Sequence, residues 1–164
     1  MPSLNNELMT TVYACPGVDI ELMSTTEPRI QILRVNVSEV PIADELEKIL
    51  TVMSTFCENC EGRVIFHIRH VETETLKPPD LNGMLTIVGR LMALKDLVDT
   101  KLKGMIVQGR CIDELVRVTK NLFLSLYQPK KPFDIVASED EVECFMRGIL
   151  HNEAVKREKK RVKG

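Results

Sequence analysis

The segment from residue 63 to residue 99 restricts the fold more than any other part of the chain. Val64, Ile65, Phe66 and Ile68 form a β-branched and aromatic run within Arg63 to Val71, too short to predict a helix. A polar turn, Thr73 to Pro79, follows. From Asp80 onward the period changes, with Leu81, Met84, Leu85, Val88, Leu91, Met92 and Leu94 recurring at helical spacing. A strand therefore feeds a long helix across one loop. Such junctions gather functional residues in open α/β sheets, because strand ends and helix N-termini converge there and leave backbone N–H groups unpaired.

The flanking segments extend this pattern. Val18, Ile20 and Leu22 alternate with Asp19 and Glu21, the period of a half-buried strand, and Ser24 to Pro28 supplies a turn. Ile30, Ile32, Val35 and Val37 continue as a second strand, and the short link makes the two an antiparallel pair at one edge of the sheet. After Pro41, the residues Leu46, Ile49, Leu50, Met53 and Phe56 predict an amphipathic helix with Asp44 and Glu45 in its first turn. The long helix from Asp80 is expected to run to Thr100. Met105 to Val107 reads as a buried strand, Ile112 to Leu126 as a helix with a wide apolar face, and Phe133 to Ala137 as a last strand. Ser138 followed by Glu141 is a capping-box pattern that opens a final helix.

Strands alternating with helices predict an α/β domain with a five-stranded mixed, mostly parallel sheet, about four helices and right-handed crossovers. The chain has 164 residues and 44% apolar content, enough for one core and short for two. Residues 1–16 are expected as an N-terminal segment, partly disordered, in which Thr11 to Ala14 could add a short strand. Residues 17–152 form the single domain, and residues 153–164 a basic tail. Lys156, Arg157, Lys159, Lys160, Arg161 and Lys163 face only Glu158 there, so the last ten residues carry +5 and the first 154 carry −7 of the chain's net −2. The tail is a solvated terminus, a nuclear-import signal, or a contact for nucleic acid or an acidic membrane surface. The acidic body argues against a basic groove as the main binding site.

No apolar run is long enough for a membrane helix and no signal peptide is evident, which points to a cytoplasmic protein, nuclear if the tail directs import. Five scattered cysteines, Cys15, Cys57, Cys60, Cys111 and Cys144, suit free thiols in a reducing compartment. The Cys57-Glu58-Asn59-Cys60 pair invites a redox or zinc reading, but it falls near a helix C-terminus, where the dipole opposes a thiolate, and no second ligand pair accompanies it. His67 and His70, three apart on one strand, point to opposite faces, and His70 is the better site candidate. There is no phosphate-binding glycine loop and no nucleophile elbow. No catalytic residue, metal site or cofactor is therefore assigned.

The element order, the edge hairpin, and the strand and polar turn leading into Asp80-Leu81-Asn82-Gly83 resemble the STAS domain, named for sulphate transporters and anti-sigma factor antagonists. The likeness spans residues 17 to 151. In bacterial antagonists of that family the turn before the second helix reads Asp-Ser-Ser/Thr-Gly, and the second hydroxyl residue is phosphorylated. Asp80 and Gly83 match the outer positions here, whereas Leu81 and Asn82 replace the inner pair. The resemblance implies a docking surface without the usual phosphoacceptor, with Thr73 and Thr75 as substitute hydroxyls.

The expected function is thus a non-catalytic regulatory module that binds another protein through the loop 73–83 and the following helix, with Thr73, Thr75, Asp80, Asn82, Gly83 and Met84 at the contact. Surplus apolar residues on that helix are either covered by a neighbouring helix or form a patch for a partner or for self-association. The alternatives are a small-ligand or lipid pocket beside the second helix, an enzyme using His70 and Asp80, and nucleic-acid binding through the tail.

Overall fold

A computed structural model of the chain describes residues 10–39, 43–70, 81–109 and 114–163. They form five helices and a single six-stranded sheet whose strands lie side by side in chain order. β1 (Thr10–Cys15), β2 (Val18–Ser24) and β3 (Ile30–Val37) make an antiparallel meander. β4 (Arg63–His70), β5 (Leu102–Gln108) and β6 (Phe133–Val136) then add in parallel to β3.

The sheet has one strand more than the five expected. Pro16 and Gly17 close a two-residue turn between Cys15 and Val18, and Gly17, at φ 83°, takes the left-handed position that such a turn requires. β1 thereby becomes the outer strand and β2 is covered on both sides. Its pairing with β2 shifts between Thr11 and Tyr13, a bulge that disturbs the alternation by which a strand is recognised.

Three crossovers join β3 to β6, through α1 (Ala43–Asn59), then α2 (Leu81–Ala93) with α3 (Lys95–Lys101), then α4 (Glu114–Leu126). Each advances one strand in the same direction. Crossovers of one hand that advance one way place their helices on one face of the sheet. In agreement, α1 packs against α2 and α3, and α2 touches α4. α5 (Glu139–Lys163) follows the last strand and covers the opposite face.

Two cores result, one on each side. In the first, Ile20, Leu33, Val35, Val64 and Phe66 meet Ile49, Met53 and Cys57 of α1, with Leu97 and Val98 of α3 packed alongside. In the second, Ile30, Ile32, Ile65, Ile106 and Val136 meet Val142, Met146, Ile149 and Leu150 of α5. Helices on both faces explain why β4 is apolar without alternation: its successive side chains enter different cores.

The single long helix expected from Asp80 to Thr100 is two helices, which raises the helix count to five. Leu94, at φ −103° and ψ 26°, leaves the helical region and turns α3 so that Leu97 and Val98 reach the first core. Hydrogen bonding continues through the bend, from Leu94 N to Arg90 O at 3.0 Å and from Val98 N to Leu94 O at 2.9 Å. An unbroken apolar period therefore accompanies a change of direction.

α5 begins where the capping pattern places it, with Glu141 N donating to Ser138 Oγ at 3.2 Å and Ala137 N to the Glu141 carboxylate at 3.3 Å. From β6 it descends against β5, and Gly104 permits the approach: a Cβ there would stand 2.6 Å from Ile149 Cδ1. Lys103, buried, pairs with Glu153 at 2.5 Å. Arg157 then reaches Glu27 in the β2–β3 turn at 2.8 Å, at the lower edge of the sheet.

Candidate functional site

Of the six residues expected at a docking surface, Thr73, Thr75 and Asp80 lie outside the described residues. The other three open α2. Asn82 is exposed, and its carbonyl accepts the Thr86 hydroxyl at 2.9 Å. Gly83 and Met84 face inward and are buried, so Met84 contributes to packing and not to an outer surface.

The apolar surplus on α2 nonetheless reaches solvent. Leu81, Leu85 and Met92 are exposed on α2, as are Val118, Leu122 and Leu126 on α4, with exposures running from 40% to 63%. The orientation of both stripes follows from their neighbours. Arg90 turns to α1, donating to Thr51 Oγ1 at 2.6 Å and pairing with Glu47 at 3.4 Å. Leu81, Leu85 and Met92 lie roughly 140–180° around the helix from Arg90, on the side away from α1. On α4, Lys120 turns to Asp134 of the edge strand at 3.4 Å. Val118, Leu122 and Leu126 lie roughly 120–160° from it, on the side towards α2. Both helices descend from the same end of the sheet and α2 touches α4, so the two stripes are read as the walls of one shallow valley. Coverage by the adjacent helix, one of the two readings of the sequence, does not hold among the described residues.

Six side chains exposed to this extent present roughly 500 Å² of apolar surface, at the upper end for a monomeric protein and the size at which such patches mark interaction sites. Where α2 and α3 come closer to the α4–β6 connection, Leu91, Val98, Tyr127 and Phe133 close over a space of about 10 Å³. That volume holds one water.

The opposite face of the sheet carries a polar cluster at the C-terminal ends of the parallel strands, beyond the upper end of α5. Register brings Asp19 beside Asn36, Glu21 beside Arg34, Arg34 beside His67 and Arg69 beside Gln108. Asn36 uses its whole amide: Nδ2 donates to Asp19 at 2.8 Å and to Glu21 at 3.0 Å, while Oδ1 accepts from Arg69 Nε at 2.9 Å. His67 is 1% exposed, and its Nε2 donates to Gln108 Oε1 at 2.8 Å; Gln108 Nε2 in turn donates to Glu139 at 3.0 Å. Burial holds the His67 imidazole down at about 4, with the Arg34 and Arg69 guanidiniums adding to the effect and the Gln108 hydrogen bond and Glu139 opposing it. The ring is neutral at pH 7. Its role is to tie β4 to β5 and, through Gln108, to the first turn of α5.

His70 ends β4 on the α1 side, half-buried, its Nδ1 enclosed and without a hydrogen-bond partner among the described residues. Asp80, its proposed partner in catalysis, is outside them. Cys15, Cys57, Cys60 and Cys144 are free thiols. Burial, and then the neighbouring Cys60, push the Cys57 thiol up to about 12, so it is not a thiolate at neutral pH. No three His, Cys, Asp or Glu side chains converge as metal ligands among the described residues, and no helix there is long and apolar enough to cross a membrane.

No known protein family, curated protein or solved structure matches the chain. The site is therefore read from its own geometry. Sequence reasoning singled out α2 and its apolar excess but did not connect it with α4. The signal was present in the wide apolar face of α4; two amphipathic helices with more apolar arc than one sheet contact can use are a pair to be matched. The polar cluster was missed altogether. Its trace in the sequence is a set of polar residues two apart, Asp19 and Glu21, Arg34 and Asn36, His67 and Arg69, which register alone brings onto one face.

Proposed function

We propose that this chain is a non-catalytic protein-docking module, a divergent STAS-like domain, whose contact surface is the α2–α4 valley. One observation carries the reading: two helices in contact each expose an apolar stripe, Leu81, Leu85 and Met92 on α2 and Val118, Leu122 and Leu126 on α4. An α-helix of 13 residues spans about 20 Å. The occupant proposed is an amphipathic helix of another protein, laid along the valley with apolar side chains at helical spacing meeting both walls. Asn82, exposed at the head of α2, stands at one end of this surface, where the STAS resemblance would put a phosphorylated hydroxyl; it cannot be phosphorylated. Partner binding would be governed by the apolar contact, without a phosphate switch at that position.

The test is site-specific photocrosslinking in cell extract from position 85, with position 147, exposed on α5, as control. It is repeated in a Leu85→Glu/Leu122→Glu variant whose folding is checked by circular dichroism. The reading expects a partner crosslinked from position 85 alone and lost in the double variant with folding intact. Equal crosslinking from both positions, or capture unchanged in the double variant, removes the valley as the docking site. Light scattering of the purified chain distinguishes a second copy from a different protein.

A further inference from the structure

The basic C-terminus is the largest charged feature left unused by the docking valley, and it is an ordered helix. α5 has 25 residues and meets the lower edge of the sheet at Arg157, whose guanidinium pairs with Glu27 at 2.8 Å. Residues beyond that point have passed the sheet. Every position from 155 to 163 is exposed. At 1.5 Å per residue, the helix continues about 9 Å past the Glu27 contact.

Arg157 is held by Glu27, which leaves Lys156, Lys159, Lys160, Arg161 and Lys163 around the arm against Glu158 alone. At 100° per residue the cations from Lys159 round to Arg161 span roughly 200° of the helix, and the apolar part is confined to Val155 and Val162. That distribution separates the polyanions that could meet it. A membrane-surface helix needs a broad apolar face with large side chains beneath its basic one, and two valines do not supply it. Single-stranded nucleic acid is held by aromatic stacking, and the arm has no aromatic residue. A duplex asks for cations on a slender rod, because its phosphates line both walls of a groove that admits an α-helix.

We infer that residues 155–163 form a docking arm for the phosphate backbone of double-stranded DNA, independent of base sequence. The −7 charge on the rest of the chain opposes a close approach of the body. Extension beyond the sheet edge resolves that conflict, since the cations stand outside the body while Arg157 and Glu27 fix their direction. The valley and the arm are separate surfaces, on different elements.

The experiment is fluorescence anisotropy of a labelled random-sequence DNA duplex titrated with the full chain, across a salt series. A Lys156→Gln/Lys159→Gln/Lys160→Gln/Lys163→Gln variant and phosphatidylserine vesicles are run in parallel. With about four phosphates neutralised, the association constant should fall about 150-fold between roughly 50 and 200 mM salt. The variant should bind at least about tenfold more weakly at the lower salt, with an unchanged circular dichroism spectrum. No binding at low salt, binding insensitive to salt, equal binding by a folded variant, or binding to the vesicles without the duplex each overturns the inference. The salt series on the intact chain decides the matter even if the variant fails to fold.

Discussion

His67 should make the stability of this protein fall on mild acidification, before most carboxylates titrate. In the folded chain its pKa is about 4, and in the unfolded chain it returns to the ordinary 6.5. Above pH 6.5 neither state binds the proton and stability is complete. Between 6.5 and 4 the unfolded chain binds it and the folded chain does not, so stability falls by about 1.4 kcal/mol per pH unit, about 2 kcal/mol by pH 5 and about 3 kcal/mol below pH 4. Against a total of roughly 5–15 kcal/mol for a domain, that loss is large. Urea unfolding of the wild type and of His67→Gln at a series of pH values isolates it, since other groups contribute equally to both. The gap between the two proteins should narrow by about 2 kcal/mol from pH 7.5 to pH 5. Parallel stability curves over that range would show that His67 does not titrate on unfolding, and would refute its placement as a neutral, enclosed imidazole.

Gly62→Ala should destabilise by about 3 kcal/mol in chemical denaturation, because the new Cβ would collide with the backbone carbonyl of Arg29 where Arg63 N pairs with it at 2.7 Å, and backbone cannot step aside cheaply; a loss below about 0.5 kcal/mol would contradict that close approach. Glu153→Ala should cost about 2 kcal/mol, less than for a fully enclosed pair because Glu153 is 30% exposed, while Lys103→Met combined with Glu153→Leu should stay within about 1 kcal/mol of wild type. The contrast between these two variants is the readout, since it separates an abandoned buried ammonium from the loss of the pair itself.

The sequence carried the central elements because their signals are local. The β4 run, the helical spacing of α1, α2 and α4, and the Ser138-Glu141 cap are each set within a few residues of chain, where side-chain period and capping chemistry act. The alternation of strand and helix was enough for an α/β sheet with parallel pairing. Where local signals cancel, the reading failed. The bulge near Thr11 left β1 as only an optional short strand, outside the five counted, and the continuous apolar period across Leu94 hid the turn between α2 and α3.

The surfaces were decided elsewhere. Leu85 and Met84 are adjacent apolar residues of one helix, and only the tertiary structure shows that Met84 is buried and Leu85 exposed. Their difference depends on which sides of α2 are taken by α1 and the sheet. The valley needs α4 as its second wall, and the polar cluster needs three strands in register before Asn36 can meet Asp19, Glu21 and Arg69. A sequence determines which side chains share a face of their own element, because that follows from helix and strand periods. What covers the face depends on partners as far as 130 residues away, as with Arg157 and Glu27, so burial, exposure and the pairing of charges across strands belong to the folded chain alone.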